Sequence, residues 1–496
     1  MEPFLAHPFD DDRLHEECGV FGVIGVAEAA NFVALGLHAL QHRGQEAGGI
    51  ISHDGERGFN SAHRFGYVRD NFTKQSLMET LPGPLAIGHV RYSTAGSKAA
   101  HIRDVQPFFG EFSMGGCAIA HNGNITNASA LRRELIERGS IFQSSSDSEC
   151  IIHLMARSLQ RNIPERMKDA LRRVEGAFSV IAMTRTKLIG VRDPLGVRPL
   201  VIGKLGDDGY ALSSETCGLD IIGAEFLREV EPGEMVVISK GKIESSRPFQ
   251  PQSSRFCIFE HVYFSRPDSI IGGRSVYETR RQIGVELARE APVEADLVCP
   301  VPDSGTPAAI GYAQESGIPY GMGIIRNQYM GRTFIEPTDQ IRNMGVRLKL
   351  NVNRSLIAGK RVVLVDDSVV RGTTSRKIKD MIIDAGAREV HFRIASPPTA
   401  WPCFYGVDTP ERGKLLAAQM SAEEMREWIG VDSLSFVTLD GLYRAAGEAK
   451  GRNSACPQYC DACFSGDYPV APFDQLERGF RMKDGSETAH QTHAAE

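Results

Sequence analysis

The stretch that most constrains the fold is 362–375, with the sequence VVLVDDSVVRGTTS. It begins with an apolar run and continues with two carboxylates, Asp366 and Asp367, before a helical pattern starts after Gly372. An apolar run without alternation is typical of a strand buried on both faces, as in a parallel sheet. Open α/β sheets bind ligands beyond the carboxyl ends of such strands, and a helix N-terminus attracts phosphate. The stretch therefore predicts a phosphate site, with carboxylates available for ribose hydroxyls or Mg²⁺; the alternative is a solvated acidic turn that caps a helix.

The surrounding region, 257–400, alternates apolar runs with helical patterns, which predicts a mostly parallel α/β sheet. A second strand, turn and helix is expected at 298–313, in VCPVPDSGTPAAIGYA, although PDSGTP taken alone could be a simple turn. Between the two lies 326–351, which is polar, basic and punctuated by glycine, and which we expect to form a mobile flap.

The region 18–245 has a different pattern, with many short apolar runs separated by turns. Runs of strands with separate helices predict a layered α/β or α+β domain. The linker to the next domain is expected at 245–256, which is rich in Ser, Pro and Gln. Helices are predicted at 31–42, 128–138, 147–161 and 164–174.

Residues 362–375 resemble the signature of type I phosphoribosyltransferases, which bind 5-phosphoribosyl-1-pyrophosphate (PRPP), and PDSGTP resembles their pyrophosphate loop. The resemblance implies that Ser304, Asp366 and Asp367 hold Mg²⁺. It also implies a PRPP site composed of Asp303, Ser304, Gly305, Thr306, Lys349, Asp366, Asp367, Ser368, Arg371, Gly372, Thr373 and Thr374. The flap would add charge from Arg326, Arg332, Arg347 and Lys349, each of which could instead lie in a solvated loop.

Five stretches in the first third of the chain resemble class II glutamine amidotransferases, a group of N-terminal-nucleophile hydrolases. They are CGVFGV from Cys18, LQHRGQEAGGI (40–50), GHVRYSTAG (88–96), AHNGNITN (120–127) and SDSE (146–149). The resemblance implies an αββα fold in which the Cys18 thiol attacks the glutamine amide. Asn122 and Gly123 would form the oxyanion hole. Arg91 would pair with the α-carboxylate of glutamine and Asp147 with its α-ammonium, although SDSE could also be a helix cap.

Such a cysteine needs no histidine base if its own α-amine, with a pKa of about 7.7–8.0, moves the proton. That mechanism requires Cys18 to be the first residue of the working enzyme. We therefore expect residues 1–17, which are acidic and unpatterned, to be a propeptide. The alternative is a structural cysteine that follows a tail.

Together the two sets of motifs resemble the glutamine phosphoribosylpyrophosphate amidotransferase family over about 18–470. This resemblance implies that glutamine is hydrolysed and its ammonia converts PRPP to 5-phosphoribosylamine, the first committed step of de novo purine synthesis. It also implies inhibition by purine nucleotides and a homotetramer. A different class II amidotransferase and a non-enzymatic PRPP sensor are the alternatives. The predicted organisation is a propeptide (1–17), a glutaminase domain (18–250), a phosphoribosyltransferase domain (251–470) and a polar tail (471–496).

Ten cysteines in 496 residues are too few for a disulfide scaffold. The spacing of Cys460 and Cys463 alone is compatible with zinc, an iron–sulfur cluster, a redox pair or no function. One branch of the family carries a [4Fe–4S] cluster, and the resemblance assigns it to Cys257, Cys403, Cys460 and Cys463, with zinc as the alternative. Cys456 has no role in this pattern. The cysteines expected to be small buried side chains are Cys117, Cys150, Cys217 and Cys299.

The remaining composition is that of an ordinary globular protein. With 56 Lys+Arg and 62 Asp+Glu the formal net charge is -6, which argues against a broad nucleic-acid-binding surface. The sequence contains neither an apolar stretch of ~20 residues nor the pattern of a signal peptide. We therefore expect a cytoplasmic enzyme without a membrane partner.

Overall fold

The computed structural model describes residues 15–16, 18–56, 58–92, 101–327 and 350–483. The chain divides into two compact units. The N-terminal unit contains Glu16–Cys257, Cys403–Val407 and the segment from Tyr459, and the C-terminal unit contains Ile258–Pro402 and Asp408–Gln458. In addition to its first segment, the N-terminal unit therefore includes two later segments of the chain. The domain limits expected from the sequence stay a prediction.

The N-terminal unit is rich in strands. Up to residue 246 the strands are β1 (His15–Glu16), β2 (Cys18–Ile24), β3 (Ala47–His53), β4 (Phe59–Phe65), β5 (Leu85–Arg91), β6 (Phe108–Phe112), β7 (Gly115–Ile125), β8 (Gly176–Met183), β9 (Leu188–Arg192), β10 (Val201–Leu205), β11 (Gly209–Ser213), β12 (Glu225–Glu229), β13 (Met235–Ser239) and β14 (Lys242–Ser246). The helices are α1 (Ala29–Ala39), α2 (Val68–Asn71), α3 (Gln75–Met78), α4 (Ala128–Glu137), α5 (Glu149–Arg157), α6 (Ile163–Leu171) and α7 (Thr216–Asp220), with a short 3₁₀ turn at Ile102–Asp104.

Apart from β1, these strands form two antiparallel sheets, ordered β12-β10-β11-β2-β5-β3-β4 and β14-β13-β9-β8-β7-β6. Successive side chains of a strand point to opposite faces, and β2 shows the result. Val20 belongs to a core that includes Ile181 of the second sheet, whereas Phe21 packs with Val33 of α1. On the outer face of the second sheet, α5 and α6 cover a separate core. The order of layers is helix, sheet, sheet, helix, which confirms the expected αββα fold.

The C-terminal unit contains a parallel sheet. The strands of this unit are β16 (Ile270–Ile271), β17 (Arg274–Ser275), β18 (Leu297–Pro300), β19 (Ile324–Arg326), β20 (Leu350–Val352), β21 (Arg361–Asp366), β22 (Glu389–Ile394) and β24 (Ser433–Phe436). Two more short strands lie where the chain passes from one unit to the other: β15 (Phe256–Cys257), which ends the first segment of the N-terminal unit, and β23 (Val407–Asp408). The helices are α8 (Val276–Glu290), α9 (Thr306–Ser316), α10 (Arg354–Ile357), α11 (Thr373–Asp384), α12 (Leu416–Gln419), α13 (Ala422–Ile429) and α14 (Leu439–Ala445), with a π-helical turn at Glu260–Phe264 and a 3₁₀ turn at Arg412–Lys414.

The four strands β18, β21, β22 and β24 are hydrogen-bonded in that order and are all parallel. Side chains from both faces of β21 are fully buried, as the unbroken apolar run predicts. The helix expected within 298–313 and the one expected after Gly372 are present as α9 and α11. The expectation of a mostly parallel sheet is therefore confirmed.

The last described segment returns to the N-terminal unit. It contains β25 (Tyr459–Cys460), α15 (Ala462–Ser465) and α16 (Phe473–Glu477). In this segment Asp474 accepts a hydrogen bond from Ser129 N (2.8 Å) and donates its own N–H to Thr126 O (2.9 Å). The polar tail expected at 471–496 stays a prediction. Among the described residues, no helix is both long enough and apolar enough to cross a membrane.

Candidate active sites and a cysteine cluster

Cys18 is the first residue of β2 and is buried, with 9% of its surface exposed. It lies directly opposite Arg91 on β5, and Arg91 in turn lies opposite Ala47 on β3. Directly opposed residues in an antiparallel pair lie on the same face with Cβ atoms about 4.5–5.5 Å apart. The strand register therefore places the predicted nucleophile next to the residue predicted to bind the carboxylate.

Asn122 reaches this region from the second sheet through a shared serine. Ser214 Oγ accepts hydrogen bonds from Val20 N (3.0 Å) and from Asn122 Nδ2 (3.4 Å). Asn122 is fully buried, and the next residue, Gly123, has a φ of 139°. A Cβ at Gly123 would lie 2.0 Å from Ala177 O, so only glycine fits there. Ser214 was not among the residues predicted from the sequence; the signal for it is a pair of serines at the end of an apolar strand.

Asp147 lies before α5, but it does not cap that helix. Its Oδ2 accepts a hydrogen bond from Ile125 N (2.9 Å), and its Oδ1 accepts one from Ser148 Oγ (3.1 Å). The carboxylate is therefore attached to the same strand that carries Asn122. The alternative interpretation of SDSE as a cap finds no support in these contacts.

Two histidines near this site are deeply buried. Burial, with help from Arg91, lowers the pKa of His89 to about 3. Burial also lowers the pKa of His121, whose Nδ1 lies 2.9 Å from Ser148 Oγ, although the charge of Asp147 works against the shift. Both imidazoles are therefore neutral at pH 7.

Residues of the motif at 40–50 contact the strand that carries Arg91. Arg43 is fully buried and forms an ion pair with Glu215, which also contacts His42 Nε2 at 2.6 Å. A Cβ at Gly44 would lie 2.6 Å from Arg91 N. This motif therefore fixes the backbone next to Arg91.

In the C-terminal unit, the two predicted phosphate loops lie side by side. Asp366 is the last residue of β21, Asp367 follows it, and both are buried. Ser304 Oγ donates a hydrogen bond to Asp367 Oδ1 (2.5 Å), and Ser368 Oγ donates one to Asp367 Oδ2 (2.7 Å). Because Val301 N also donates to Val365 O (2.8 Å), the 303–306 loop is held against the acidic pair.

The loop from Asp367 leads directly into α11. Gly372, with a φ of 76°, precedes the first helical residues, Thr373 and Thr374. Arg371 Nε is buried and makes no hydrogen bond to any described residue. From the flap, Arg326 Nη1 donates to Asp303 Oδ2 at 2.6 Å, whereas the predicted flap residues Arg332, Arg347 and Lys349 lie outside the described residues.

Four cysteines come together in the N-terminal unit. Cys257 on β15 lies opposite Cys460 on β25 in a parallel pair. Burial and the neighbouring cysteines, Cys257 and Cys403 among them, raise the pKa values of the Cys460 and Cys463 thiols well above normal. Cys403 Sγ accepts a hydrogen bond from Tyr405 N (3.3 Å). Within the described ranges, no three His, Cys, Asp or Glu side chains are arranged around a single metal ion.

The other cysteines behave as expected small side chains. Cys117, Cys150, Cys217 and Cys299 are buried, and burial raises the pKa of Cys117, Cys150 and Cys299 to about 12. A thiol with so high a pKa is a poor nucleophile at neutral pH. Cys456 is exposed.

Comparison with known proteins agrees with this geometry. The family of glutamine amidotransferase domains matches residues 89–220. Amidophosphoribosyltransferase from Rhizobium etli is 57% identical over 474 residues, which are 94% of this chain and 95% of that protein. The enzyme of the same name from Bacillus subtilis is 49% identical over 459 residues, which are 92% and 95% of the two chains.

A solved structure covers both units. The glutamine PRPP amidotransferase from B. subtilis, complexed with ADP and GMP, matches with a TM-score of 0.85 and 46% sequence identity. The match covers 92% of this chain and 98% of that chain. Because the similarity extends over nearly the whole length of these relatives, the chain belongs to the amidophosphoribosyltransferase family, glutamine-dependent glycosyltransferases of purine biosynthesis.

Proposed function

We propose that the two units divide the amidophosphoribosyltransferase reaction between them. The reaction hydrolyses glutamine and transfers the ammonia to PRPP, which gives 5-phosphoribosylamine, glutamate and pyrophosphate. The N-terminal unit releases the ammonia, and the C-terminal unit binds PRPP. The observation that carries this proposal is the convergence of Cys18, Arg91 and Asn122 within one unit, together with the Ser304–Asp367 contact in the other.

Cys18 acts as the nucleophile in glutamine hydrolysis. Its sulfur bonds to the side-chain amide carbon, the carbon–nitrogen bond breaks, and ammonia leaves a thioester that water converts to glutamate. Removal of residues 1–17 frees the α-amine of Cys18, which takes the thiol proton and returns it to the leaving nitrogen. Burial lowers the pKa of His89 and of His121, which makes both imidazoles weak bases and is consistent with a mechanism in which the amine moves the proton.

The neighbouring side chains orient glutamine and stabilise the oxyanion. The Asn122 amide and the Gly123 N–H donate to the oxygen that becomes negative in the tetrahedral intermediate. The planar guanidinium of Arg91 suits two parallel hydrogen bonds to the α-carboxylate. Asp147, attached to the end of β7, pairs with the α-ammonium.

The loops after β18 and β21 bind PRPP. Asp366 and Asp367 hold the ribose hydroxyls and Mg²⁺, while Ser304 and the N-terminus of α11 receive the pyrophosphate and 5-phosphate groups. Mg²⁺ prefers oxygen ligands and is often held by one or two carboxylates plus substrate phosphates, so the Ser304–Asp367 pair fits it. Bound Mg²⁺ would neutralise charge on the pyrophosphate leaving group. Asp303, Gly305, Thr306, Ser368, Arg371, Gly372, Thr373, Thr374 and Lys349 complete the proposed site.

Cys257, Cys403, Cys460 and Cys463 bind a [4Fe–4S] cluster, which assigns the chain to the processed, cluster-bearing branch. Clustered buried thiols are unfavourable as thiolates unless a metal compensates their charge, and this supports a metal centre. Zinc on the same four thiolates is the alternative.

Further properties follow from membership of the family. Purine nucleotides inhibit the enzyme, four copies assemble, and the reducing cytoplasm preserves the cluster. The similar B. subtilis structure with ADP and GMP supports nucleotide binding.

The division of the reaction is tested with Cys18→Ser. We expect glutamine-dependent synthesis to be lost while synthesis with added ammonia stays within about 2-fold of wild type. Cys456→Ser, which changes an exposed cysteine, is the matched control and should alter neither activity. Loss of both activities in Cys18→Ser would contradict the division of labour.

Two measurements on purified protein test processing and the cluster. Intact mass spectrometry should give a chain that begins at Cys18, and an active preparation that retains Met1 would refute the α-amine mechanism. Iron and sulfide assays should find four of each per chain, together with a brown visible absorbance. A colourless, zinc-loaded enzyme with full activity would rule out the cluster.

A further inference from the structure

We infer that the loop Cys403–Val407 holds the oxyanion hole of the glutaminase in place, with Phe404 and Gly406 as positioning residues. The loop is distant in sequence but belongs to the N-terminal unit. The inference rests on the proposed function, because it takes Asn122 and Gly123 as the oxyanion-binding groups. The inference adds residues that contact the oxyanion-binding strand but are not proposed to contact substrate.

Two successive carbonyl groups of the loop accept hydrogen bonds from side chains of the N-terminal unit. Asn124 Nδ2 donates to Phe404 O at 2.9 Å, and Asn124 is the residue after Gly123. Arg198 Nε donates to Tyr405 O at 2.8 Å, and Arg198 is fully buried. The loop is therefore attached to β7 at the position next to the oxyanion hole.

Gly406 brings the loop backbone into direct contact with Gly123. A Cβ at Gly406 would lie 2.8 Å from Gly123 Cα, 3.0 Å from Gly123 C and 3.2 Å from Gly123 O. Its φ of 97° is also one that residues with a side chain rarely adopt. Both facts mean that any larger residue must displace either the loop or Gly123.

The loop is also held by contacts with the last described segment of the chain. Tyr405 Oη donates to Val470 O (2.5 Å) and accepts from Val470 N (3.0 Å). The Phe404 ring lies with its centroid 5.2 Å from that of Tyr468 and 4.9 Å from that of Phe480. A loop held on both sides resists displacement, so it can fix the strand it touches.

This support matters because oxyanion donors act through preorganised geometry. Loss of one donor lowers kcat by about 10²–10³-fold, and a misplacement of about 1 Å can have a similar effect. A displaced Gly123 N–H would slow formation of the tetrahedral intermediate and leave substrate binding by Arg91 and Asp147 largely unchanged. The expected signature is a fall in kcat with little change in KM.

The test compares Asn124→Ala, Asn124→Asp and Gly406→Ala with Asn127→Ala. Asn127 also joins backbone groups through its side chain, at Arg173 O (3.0 Å) and Glu175 N (3.1 Å), but it has no hydrogen bond with the 403–407 loop among those described. We expect glutaminase kcat to fall about 10-fold in Asn124→Ala. It should fall further in Asn124→Asp, because a carboxylate opposite the Phe404 carbonyl repels it. Asn127→Ala should keep kcat within about 2-fold of wild type.

Two further readouts separate positioning from general damage. Alkylation of Cys18 by iodoacetamide needs a reactive thiol but no oxyanion hole, so its rate should be unchanged in the Asn124 variants. Ammonia-dependent synthesis should also be unchanged. Wild-type kcat in both Asn124 variants would overturn the inference, as would an equal loss in Asn127→Ala. Failure of iodoacetamide to label Cys18 in the wild-type protein would instead refute the proposed nucleophile. If Gly406→Ala does not fold, the Asn124 series decides alone.

Discussion

The two units position their reactive groups in different ways. In the N-terminal unit, Cys18 and Arg91 are neighbours because two antiparallel strands pair in one register, and the groups around them are buried. In the C-terminal unit, Ser304 and Asp367 meet where loops leave the carboxyl ends of parallel strands. Strand register assembles the first site, whereas in the second a hydrogen bond between two loops brings a serine hydroxyl and a carboxylate together. Substitutions in the two units should therefore affect different steps.

The largest expected effect tests whether the units act separately. Asp367→Asn keeps the side-chain shape but removes the charge proposed to hold ribose and Mg²⁺. We expect synthesis of phosphoribosylamine to fall about 10²–10³-fold with either glutamine or ammonia, the scale of one lost electrostatic contact at a reaction centre. Glutaminase activity measured alone should stay within about 3-fold of wild type.

Asp380→Asn is the control for this change, because Asp380 is an exposed acid on α11 that pairs with Lys379. It should leave both activities unchanged. A comparable fall in the glutaminase activity of Asp367→Asn would show that the two sites are not independent.

A smaller effect is expected when Arg91 is replaced by lysine. Lys keeps the charge but replaces a planar fork with a point charge, and a hydrogen bond to a charged group contributes about 1.5–3 kcal/mol. We expect KM for glutamine to rise about 10- to 100-fold, with kcat and ammonia-dependent synthesis little changed. Arg64→Lys on the edge strand β4 is the matched control. An unchanged KM in Arg91→Lys would remove Arg91 from the glutamine site.

The smallest effect concerns stability, and it compares a part-buried cap with an exposed ion pair on the same helix. Asp474 caps α4 through Ser129 N, whereas Glu477 pairs with Arg133 in solvent at 2.9 Å. Asp474→Ala should lower the free energy of unfolding of the N-terminal unit by ~1 kcal/mol, and Glu477→Ala by less than ~0.5 kcal/mol. Thermal unfolding of the two variants measures both. An equal loss of unfolding free energy in the two variants would mean that the Asp474 cap contributes no more than the exposed Glu477–Arg133 ion pair.

Local sequence patterns predicted most of the elements but few of the contacts between them. The strand before Asp366 and the helix after Gly372 follow from patterns within about 20 residues, and both are present. The cap on α4 joins residues 345 apart, and the Asn122–Ser214 hydrogen bond joins residues 92 apart. Periodicity and turn chemistry carry no information about such pairs, because the contact depends on how separate elements pack.

The resemblance to known families filled part of this gap. It assigned Cys257, Cys403, Cys460 and Cys463 to one group, and the structure brings them near one another. It gave no role to Phe404 or Gly406, because within 402–408 the resemblance implies a function only for Cys403. The close approach of Gly406 to Gly123 is visible only in three dimensions.

The three-part composition of the N-terminal unit has a consequence for biosynthesis. A ribosome adds about 5–20 residues per second, so the loop Cys403–Val407 emerges on the order of ten seconds after Cys257, and Cys460 emerges later still. Until then the strand that carries Gly123 lacks its support. The glutaminase therefore matures only after the phosphoribosyltransferase sequence has been made, and a truncated chain that ends before residue 403 would lack the means to release ammonia efficiently without an acceptor.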